Sequence, residues 1–271
     1  MPNPKIPPLI FLGGGQMAEA IFSRLIVGNE LIPQEITVSD INTKRLDYLY
    51  KAYGVKTARS NKAALDSDSA VVIAVKPQQV GGLLNDINKK IGKRLVISVA
   101  AGITTYFIEK RLPQARVVRV MPNVAALVGT SIAAVSKGAK AKVADAAVAS
   151  KIFSRVGQVI EVKESLQNAV TAMSGSGPAY FFYFTELLAE AGSAVGLNKK
   201  QSRQLAIQTM IGSSELLKTQ KTPEELRKMV TSPGGTTEAA IKSFNTNHLS
   251  AIVETAVQKA SERAKELSKD N

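Results

Sequence analysis

The chain has 271 residues and a mass of 28.9 kDa, enough for one large domain or two ordinary ones. Hydrophobic residues make up 45% and charged residues 21%, a balance that excludes disorder and an integral-membrane helix bundle. A formal charge of +13 attracts anions such as phosphates and carboxylates, and the absence of cysteine excludes disulfides, thiolate metal sites and a Cys nucleophile. His248 is the single histidine, so a histidine metal cluster is excluded too and no metal site is expected. The apolar start at Ile10–Leu12 runs at once into Gly13–Gly15 and Glu19, which leaves no signal-peptide core. No apolar run approaches the roughly 20 residues that span a bilayer. The expectation is a soluble, cytoplasmic protein with no membrane association.

Residues 1–8 read as a loose tail. From Leu9 to about Val162, strand-like runs then alternate with helical stretches. Leu9–Leu12 leads into a helix Gln16–Val27, and Glu35–Ser39 precedes a helix Thr43–Tyr53. Ala70–Val75, Leu95–Ala100, Val117–Val120 and Ser131–Val135 are further strands, followed by a helix Ala141–Arg155 and a last strand Gly157–Val162. Strands apolar on both faces and separated by helices predict a mainly parallel sheet covered on both sides. After about Lys163 the strand signal stops. Pro178–Val195, Lys199–Leu217, Pro223–Met229, Thr237–Phe244 and Leu249–Leu267 read as helices, with Thr222-Pro223-Glu224-Glu225 forming a capping box and Asn198 capping the helix after it. The expected fold is α/β: a Rossmann-like doubly wound sheet over residues 1–163, then an all-helical domain over 164–271. Pro178–Val195 is apolar nearly all round and needs cover on several sides. Pairing of two subunits through this half supplies it.

Gly13, Gly15 and Ala18 form the G-x-G-x-x-A variant of the dinucleotide fingerprint, after a strand and opening a helix. Gly13 permits the tight turn, Gly15 lets backbone approach a pyrophosphate, and Ala18 allows close helix–sheet packing. The helix N-terminus offers free N–H groups to the phosphates. Asp40 closes the second strand, where an acid holds a ribose 2′-hydroxyl and disfavours a 2′-phosphate. Asn42, Thr43, Lys44 and Arg45 follow and suit that phosphate instead, so NADPH and NADH both stay open. Lys76-Pro77 lies at the sheet's carboxyl edge, where ligands bind in open α/β folds.

Several ordered strings carry a family resemblance: FLGGGQMAEAI, Asn61 within ARSNKAA, VIAVKPQQV, ISVAAGIT, VRVMPN, AMSGSGPAYFF and MVTSPGGTTEAAI. Together they resemble pyrroline-5-carboxylate reductase from Leu9 to about Leu267. The resemblance implies an oxidoreductase of proline biosynthesis that reduces 1-pyrroline-5-carboxylate to L-proline with a nicotinamide cofactor, usually NADPH. It also implies a homodimer through the C-terminal helices, sometimes assembled further. Cofactor contacts are expected at Gly13, Gly15, Gln16, Met17, Asp40, Asn42, Lys44, Asn61, Ala74, Val75, Lys76, Pro77, Ala100, Ala101, Gly102 and Asn123. Many bacterial members carry an arginine where this chain has Ile41, so the phosphate contact passes to Asn42, Thr43 or Lys44.

The substrate that the resemblance implies is a small anionic cyclic imine. The resemblance places it at Ser176, Ser232, Gly234, Gly235, Thr236 and Thr237, with Thr237 as the catalytic residue beside the ring nitrogen. A Gly-rich approach to a helix N-terminus suits its carboxylate. Ser174–Pro178 is expected to break the chain at the start of the apolar helix, with Pro178 at the first helical position, and the resemblance implies that its glycines let backbone lie close to the nicotinamide and substrate. Two other readings compete: a β-hydroxyacid dehydrogenase, and a nucleotide-binding regulatory protein without chemistry. The first is disfavoured because Glu164–Asn198 lacks the lysine that such an enzyme needs. Basic groupings such as Lys89, Lys90, Lys93 and Arg94, or Lys199, Lys200 and Arg203, with aromatics at 5%, read as a solvated face and predict no nucleic-acid partner. His248 reads as a surface residue near a helix start.

Overall fold

The computed structural model describes residues 4–65 and 69–269, with the backbone only at Lys269. It divides into two compact units, one of residues 1–176 with 260–271 and one of residues 177–259. In the first unit the elements run β1 (Leu9–Leu12), α1 (Gln16–Val27), β2 (Ile36–Ser39), α2 (Thr43–Tyr53), β3 (Lys56–Ala58), α3 (Asn61–Ala64), β4 (Ala70–Ile73) and α4 (Pro77–Ile91). β5 (Leu95–Ser98), α5 (Thr105–Arg111), β6 (Arg116–Met121), β7 (Ser131–Lys137), α6 (Val143–Ser154) and β8 (Gly157–Glu161) complete the sheet layer. The strands form one sheet in the order β3-β2-β1-β4-β5-β6-β7-β8. Every pair is parallel except β6 with β7. The chain therefore reverses direction outward from β1, one way to β2 and β3, the other to β4. That reversal opens a crevice above the carboxyl ends of β1 and β4.

Fully buried residues of β1, β4 and β5 alternate between two cores, as the strand period requires. Leu9, Phe11, Val72 and Ile97 pack with Phe22 and Leu25 of α1 on one face. Ile10, Leu12, Val71, Ile73 and Val96 pack with Leu84 and Ile87 of α4 on the other. The sequence places no helix over residues 77–91, yet Val80, Leu83, Leu84, Ile87 and Ile91 are buried there at helical spacing. Residues 4–8 correct another expectation. Ile6 is buried in the core, and the Pro8 carbonyl accepts from the Ala70 amide at 3.0 Å, so this stretch is not a loose tail. Residues 1–3 lie outside the described residues.

After β8 only helices and turns occur among the described residues. α7 (Gln167–Val170) runs into a π-turn over Thr171–Gly175, closed by the Ser176 amide donating to the Thr171 carbonyl at 2.8 Å. The expected chain break at Ser174–Pro178 is thus a widened helical turn. Arg119 of β6 is fully buried, and Glu164 lies 3.6 Å from its Nη1 while accepting the Thr105 amide at 2.6 Å. These contacts tie the segment after β8 back onto the sheet.

The second unit holds α8 (Gly177–Ala194), α9 (Lys199–Leu216), α10 (Pro223–Met229), α11 (Thr236–Thr246) and the start of α12 (Leu249–Lys269). Thr222 and Asn198 cap their helices as expected, with Thr222 accepting from the Glu225 amide and Asn198 from that of Gln201. Among the described residues of this unit, only Gly177, Ser202 and Ala206 are buried. Phe181, Phe182 and Tyr183 of α8 are each about three-fifths exposed in the single chain. The last ten residues of α12 belong with the first unit. There Leu267 lies against Gly102, and Ser268 Oγ donates to Asn168 Oδ1 at 3.1 Å. Among the described residues, no helix is long and apolar enough to cross a membrane, and no group of three metal-ligating side chains occurs.

Candidate active site

The glycine-rich turn between β1 and α1 has separate reasons for its glycines. Gly13 has φ +102°, and a Cβ there would fall 2.8 Å from the Ala74 carbonyl carbon and oxygen. β1 and β4 approach too closely for any side chain. Gly15 is the opposite case, with nothing within 4 Å of the place its Cβ would occupy. It precedes α1 without a side-chain cap, so the first-turn amides face open space. Ala18 is fully buried beneath them.

A cleft of about 420 Å³ lies over this turn. Gly15, Gln16 and Met17 line one wall, Ala74, Val75, Lys76 and Pro77 the floor beyond β4, and Ala100 and Ala101 the end of β5. Asn123 closes the far side with Met121, Pro122, Val124, Leu127, Val99 and Gly175; the motifs VRVMPN and AMSGSGPAYFF contain Met121, Pro122, Asn123 and Gly175, whereas Val124 and Leu127 lie outside every motif. Volume, apolar lining and an uncapped helix N-terminus fit a dinucleotide. Gly102 is not part of this lining. Its φ of +75° and the backbone of Leu267, 3.4 Å from where its Cβ would sit, give it a packing role.

Asp40, Asn42, Lys44 and Asn61 gather at the end of β2. Asp40 Oδ2 accepts from the Gly14 amide at 2.7 Å and Oδ1 from the Asn42 amide at 2.8 Å. Asn42 caps α2 by accepting from the Arg45 amide at 3.2 Å. Asn61 is anchored by the buried Ser39 hydroxyl, which donates to its Oδ1 at 2.9 Å. Asn42, Thr43 and Lys44 are exposed. Arg45 turns away from them. Its Nε donates to the Gly14 carbonyl at 2.6 Å, and its Nη2 bonds Glu19. Glu19 also accepts from the hydroxyls of Tyr53 at 2.7 Å and Tyr48 at 3.0 Å. Burial works to raise the Glu19 carboxyl, but these hydrogen bonds and the Arg45 charge hold it below the ordinary carboxylate range.

In the second unit, Ser232, Gly234 and Gly235 turn the chain into α11. Gly234 has φ +69°, a backbone that favours glycine. Its amide donates to Glu238 Oε2 at 2.8 Å, and the Gly235 amide to the Ser232 carbonyl at 3.0 Å. Thr236 and Thr237 fall in the first turn, one residue earlier than the expected start, and no side chain caps it. An uncapped N-terminus with two hydroxyls beside it can hold a small carboxylate. Ser176 is half-buried at the end of the first unit, directly after the π-turn. His248 is exposed, with φ +56°, at the corner between α11 and α12.

Residues 8–102 match the family described as NADP oxidoreductase, coenzyme F420-dependent, and residues 164–267 match pyrroline-5-carboxylate reductase dimerisation. The pyrroline-5-carboxylate reductase of Synechocystis is 40% identical over 260 residues, covering 95% of this chain and 97% of its own. The chain belongs to the pyrroline-5-carboxylate reductase family. Solved structures agree with this membership. The reductase from Coxiella burnetii superposes with a TM-score of 0.90 at 38% identity, covering 97% of this chain and 98% of that one. The Plasmodium falciparum reductase, solved with NADP bound, gives 0.83 at 29% identity over 97% and 99% of the two chains. Membership makes this reductase-family chain an oxidoreductase.

Proposed function

We propose that the chain reduces 1-pyrroline-5-carboxylate to L-proline, the last step of proline biosynthesis, with NADPH as donor and NADH as an alternative. The similarity to named reductases over nearly the whole chain carries this reading, since the motifs of both units fall in one order. NADP in the Plasmodium falciparum structure supports the cofactor. Residues 1–163 form the dinucleotide domain and 164–271 the substrate and dimerisation domain in this reading. When bound, the reduced nicotinamide supplies a hydride to the imine carbon.

The chain's own residues bind and orient. The first-turn amides of α1 hold the pyrophosphate above Gly15, while Lys76 offsets its charge. Asp40, Asn42, Lys44 and Asn61 hold the adenosine end. The first-turn amides of α11 hold the substrate carboxylate, with Ser232, Gly234 and Gly235 shaping that cradle, and Ser176 is the further substrate contact that the family resemblance implies. The Thr237 hydroxyl hydrogen-bonds the ring nitrogen. A protonated imine is already electrophilic, so no strong protein acid is needed. Orientation, charge placement and exclusion of water supply the catalysis.

The second unit supports a homodimer. It buries almost none of its apolar side chains by itself, and a second copy is the cover that the dimerisation match favours. We place the reaction in the cytoplasm, in keeping with a chain that has no cysteine. The deciding experiment mixes protein, NADPH and pyrroline-5-carboxylate and follows nicotinamide absorbance. Consumption of both is expected. Binding without consumption would point to a regulatory protein, and turnover of hydroxyacids alone to a dehydrogenase.

A further inference from the structure

Arg45 is the one arginine in the stretch Asp40–Arg45 that turns β2 into α2, where a 2′-phosphate would have to be recognised. A planar guanidinium is the side chain best suited to a phosphate. Here it is committed elsewhere. Nε donates to the Gly14 carbonyl at 2.6 Å, Nη2 bonds Glu19, and the group lies 5.1 Å from the ring centre of Tyr48. Glu19 is fixed from its other side by the Tyr53 and Tyr48 hydroxyls, both on Oε1. Both charges are less than a quarter exposed, so solvent competes poorly with the pair.

We propose that Glu19 sets the dinucleotide selectivity of this reductase by holding Arg45 on the glycine-rich turn, away from the adenosine 2′-position. The proposal rests on the dinucleotide reading of the cleft. With Arg45 withdrawn, the adenosine end presents Asp40 and Lys44, one charge of each sign. Asp40 pairs with no cation among the described residues, and its carboxylate faces two amides instead. An acid there accepts a 2′-hydroxyl and repels a 2′-phosphate, while Lys44 and the exposed start of α2 do the reverse. The two dinucleotides therefore bind within roughly tenfold of each other. The arginine that would break this balance is present in the chain but locked by a residue of α1.

The test is calorimetric. Dissociation constants for NADP⁺ and NAD⁺ are measured on the wild type, Glu19→Gln, Glu19→Asp, Arg45→Met and Glu19→Gln/Arg45→Met. Both Glu19 variants weaken the hold on Arg45, one by charge and one by reach, and leave it only the Gly14 carbonyl and the Tyr48 ring, so a folding failure in either leaves the other. The ratio of affinities should move toward NADP⁺ by about tenfold, the worth of one charge-assisted hydrogen bond. The double variant should lose that gain. Arg45→Met alone should weaken both ligands alike, because the contacts it loses, to Gly14, Glu19 and the Tyr48 ring, all lie away from the 2′-position. If Arg45→Met by itself cuts the preference for NADP⁺, or if folded Glu19 variants keep the wild-type ratio, the proposal is overturned. A wild type that binds neither dinucleotide overturns the underlying reading as well. One that binds both with an immovable ratio overturns the role of Glu19 alone.

Discussion

The Asn123 amide donates to Ser174 Oγ at 3.2 Å, which ties the end of β6 to the π-turn before α8. The same side chain accepts from the Ala125 amide at 3.1 Å and so caps the short 3₁₀ turn Val124–Val128. One residue thus fixes two pieces of the cleft's far wall, Gly175 on one side and Val124 with Leu127 on the other. Asn123→Ala should cost about 1 kcal/mol of stability, the usual worth of a cap. Its larger effect should be a several-fold higher KM for the dinucleotide. Thermal unfolding and steady-state kinetics read the two effects separately.

Gly13 and Gly15 should fail in different ways. Gly13→Ala drives a methyl into the Ala74 backbone at a φ of +102°, which costs several kcal/mol because neither strand can yield. Poor folding is the expected result. Gly15→Ala meets no protein atom within 4 Å and should fold normally. It should still weaken dinucleotide binding at least tenfold, by filling space the phosphates approach. Chemical denaturation and calorimetry distinguish these outcomes.

The sheet is legible because short continuous apolar runs such as Leu9–Leu12 and Leu95–Ile97, set between helical stretches, fit strands covered on both faces. Helix α4 escaped because Gly81 and Gly82 interrupt it, although its buried positions keep helical spacing. β3 is three residues long, too short for any pattern to emerge. Arg119 was hidden inside an apolar strand, since the partner that makes its burial tolerable, Glu164, lies 45 positions away in sequence. At the cleft, the strand-end residues Ala74–Pro77 followed from topology. Val124 and Leu127 did not, because their place depends on how the chain folds back after β6. Arg45 shows the same limit at the adenosine end: its sequence position suggested a phosphate contact, and a glutamate 26 residues away claims it instead.

The Glu19 network also predicts a pH dependence. Its folded carboxyl titrates below the ordinary 4.5, because the hydrogen bonds from Tyr53, Arg45 and Tyr48 outweigh the opposing effect of burial. The folded state then binds this proton less readily than the unfolded chain. The stability it contributes is complete above about pH 4.5 and is lost as pH falls through the depressed value. Tyr53 mirrors it. The hydrogen bond to Glu19, and then burial, raise its hydroxyl above the ordinary 10.0, so its contribution is complete below pH 10 and fades as pH rises. Melting temperatures between pH 7 and 3 should fall more steeply for wild type than for Glu19→Gln. Parallel curves would mean that the network adds nothing.

A helical unit with so little buried apolar surface should not persist as a solvated monomer. Sedimentation should show at least a dimer at micromolar concentration. Phe182→Glu, on the exposed face of α8, should dissociate that assembly or render the chain insoluble. An unchanged sedimentation profile would put the interface elsewhere.

Glu238 stands where it opposes the substrate that α11 is proposed to hold. Its Oε2 takes the Gly234 amide at 2.8 Å, so a carboxylate of the chain already uses one donor of the cradle. It also sets a negative charge in the first turn, which repels an incoming anion. Glu238→Gln keeps an acceptor for Gly234 while removing the charge. KM for the imine should fall about two- to fivefold, with kcat and dinucleotide affinity unchanged, because a surface charge pair in water is worth less than about 1 kcal/mol. Thr237→Ala should show the opposite split. Removing the proposed hydrogen bond to the ring nitrogen should lower kcat by about tenfold or more while dinucleotide affinity holds. If Thr237→Ala keeps full turnover, the threonine has no part in the chemistry. If Glu238→Gln raises KM instead, the carboxylate helps to build the cradle rather than competing for it.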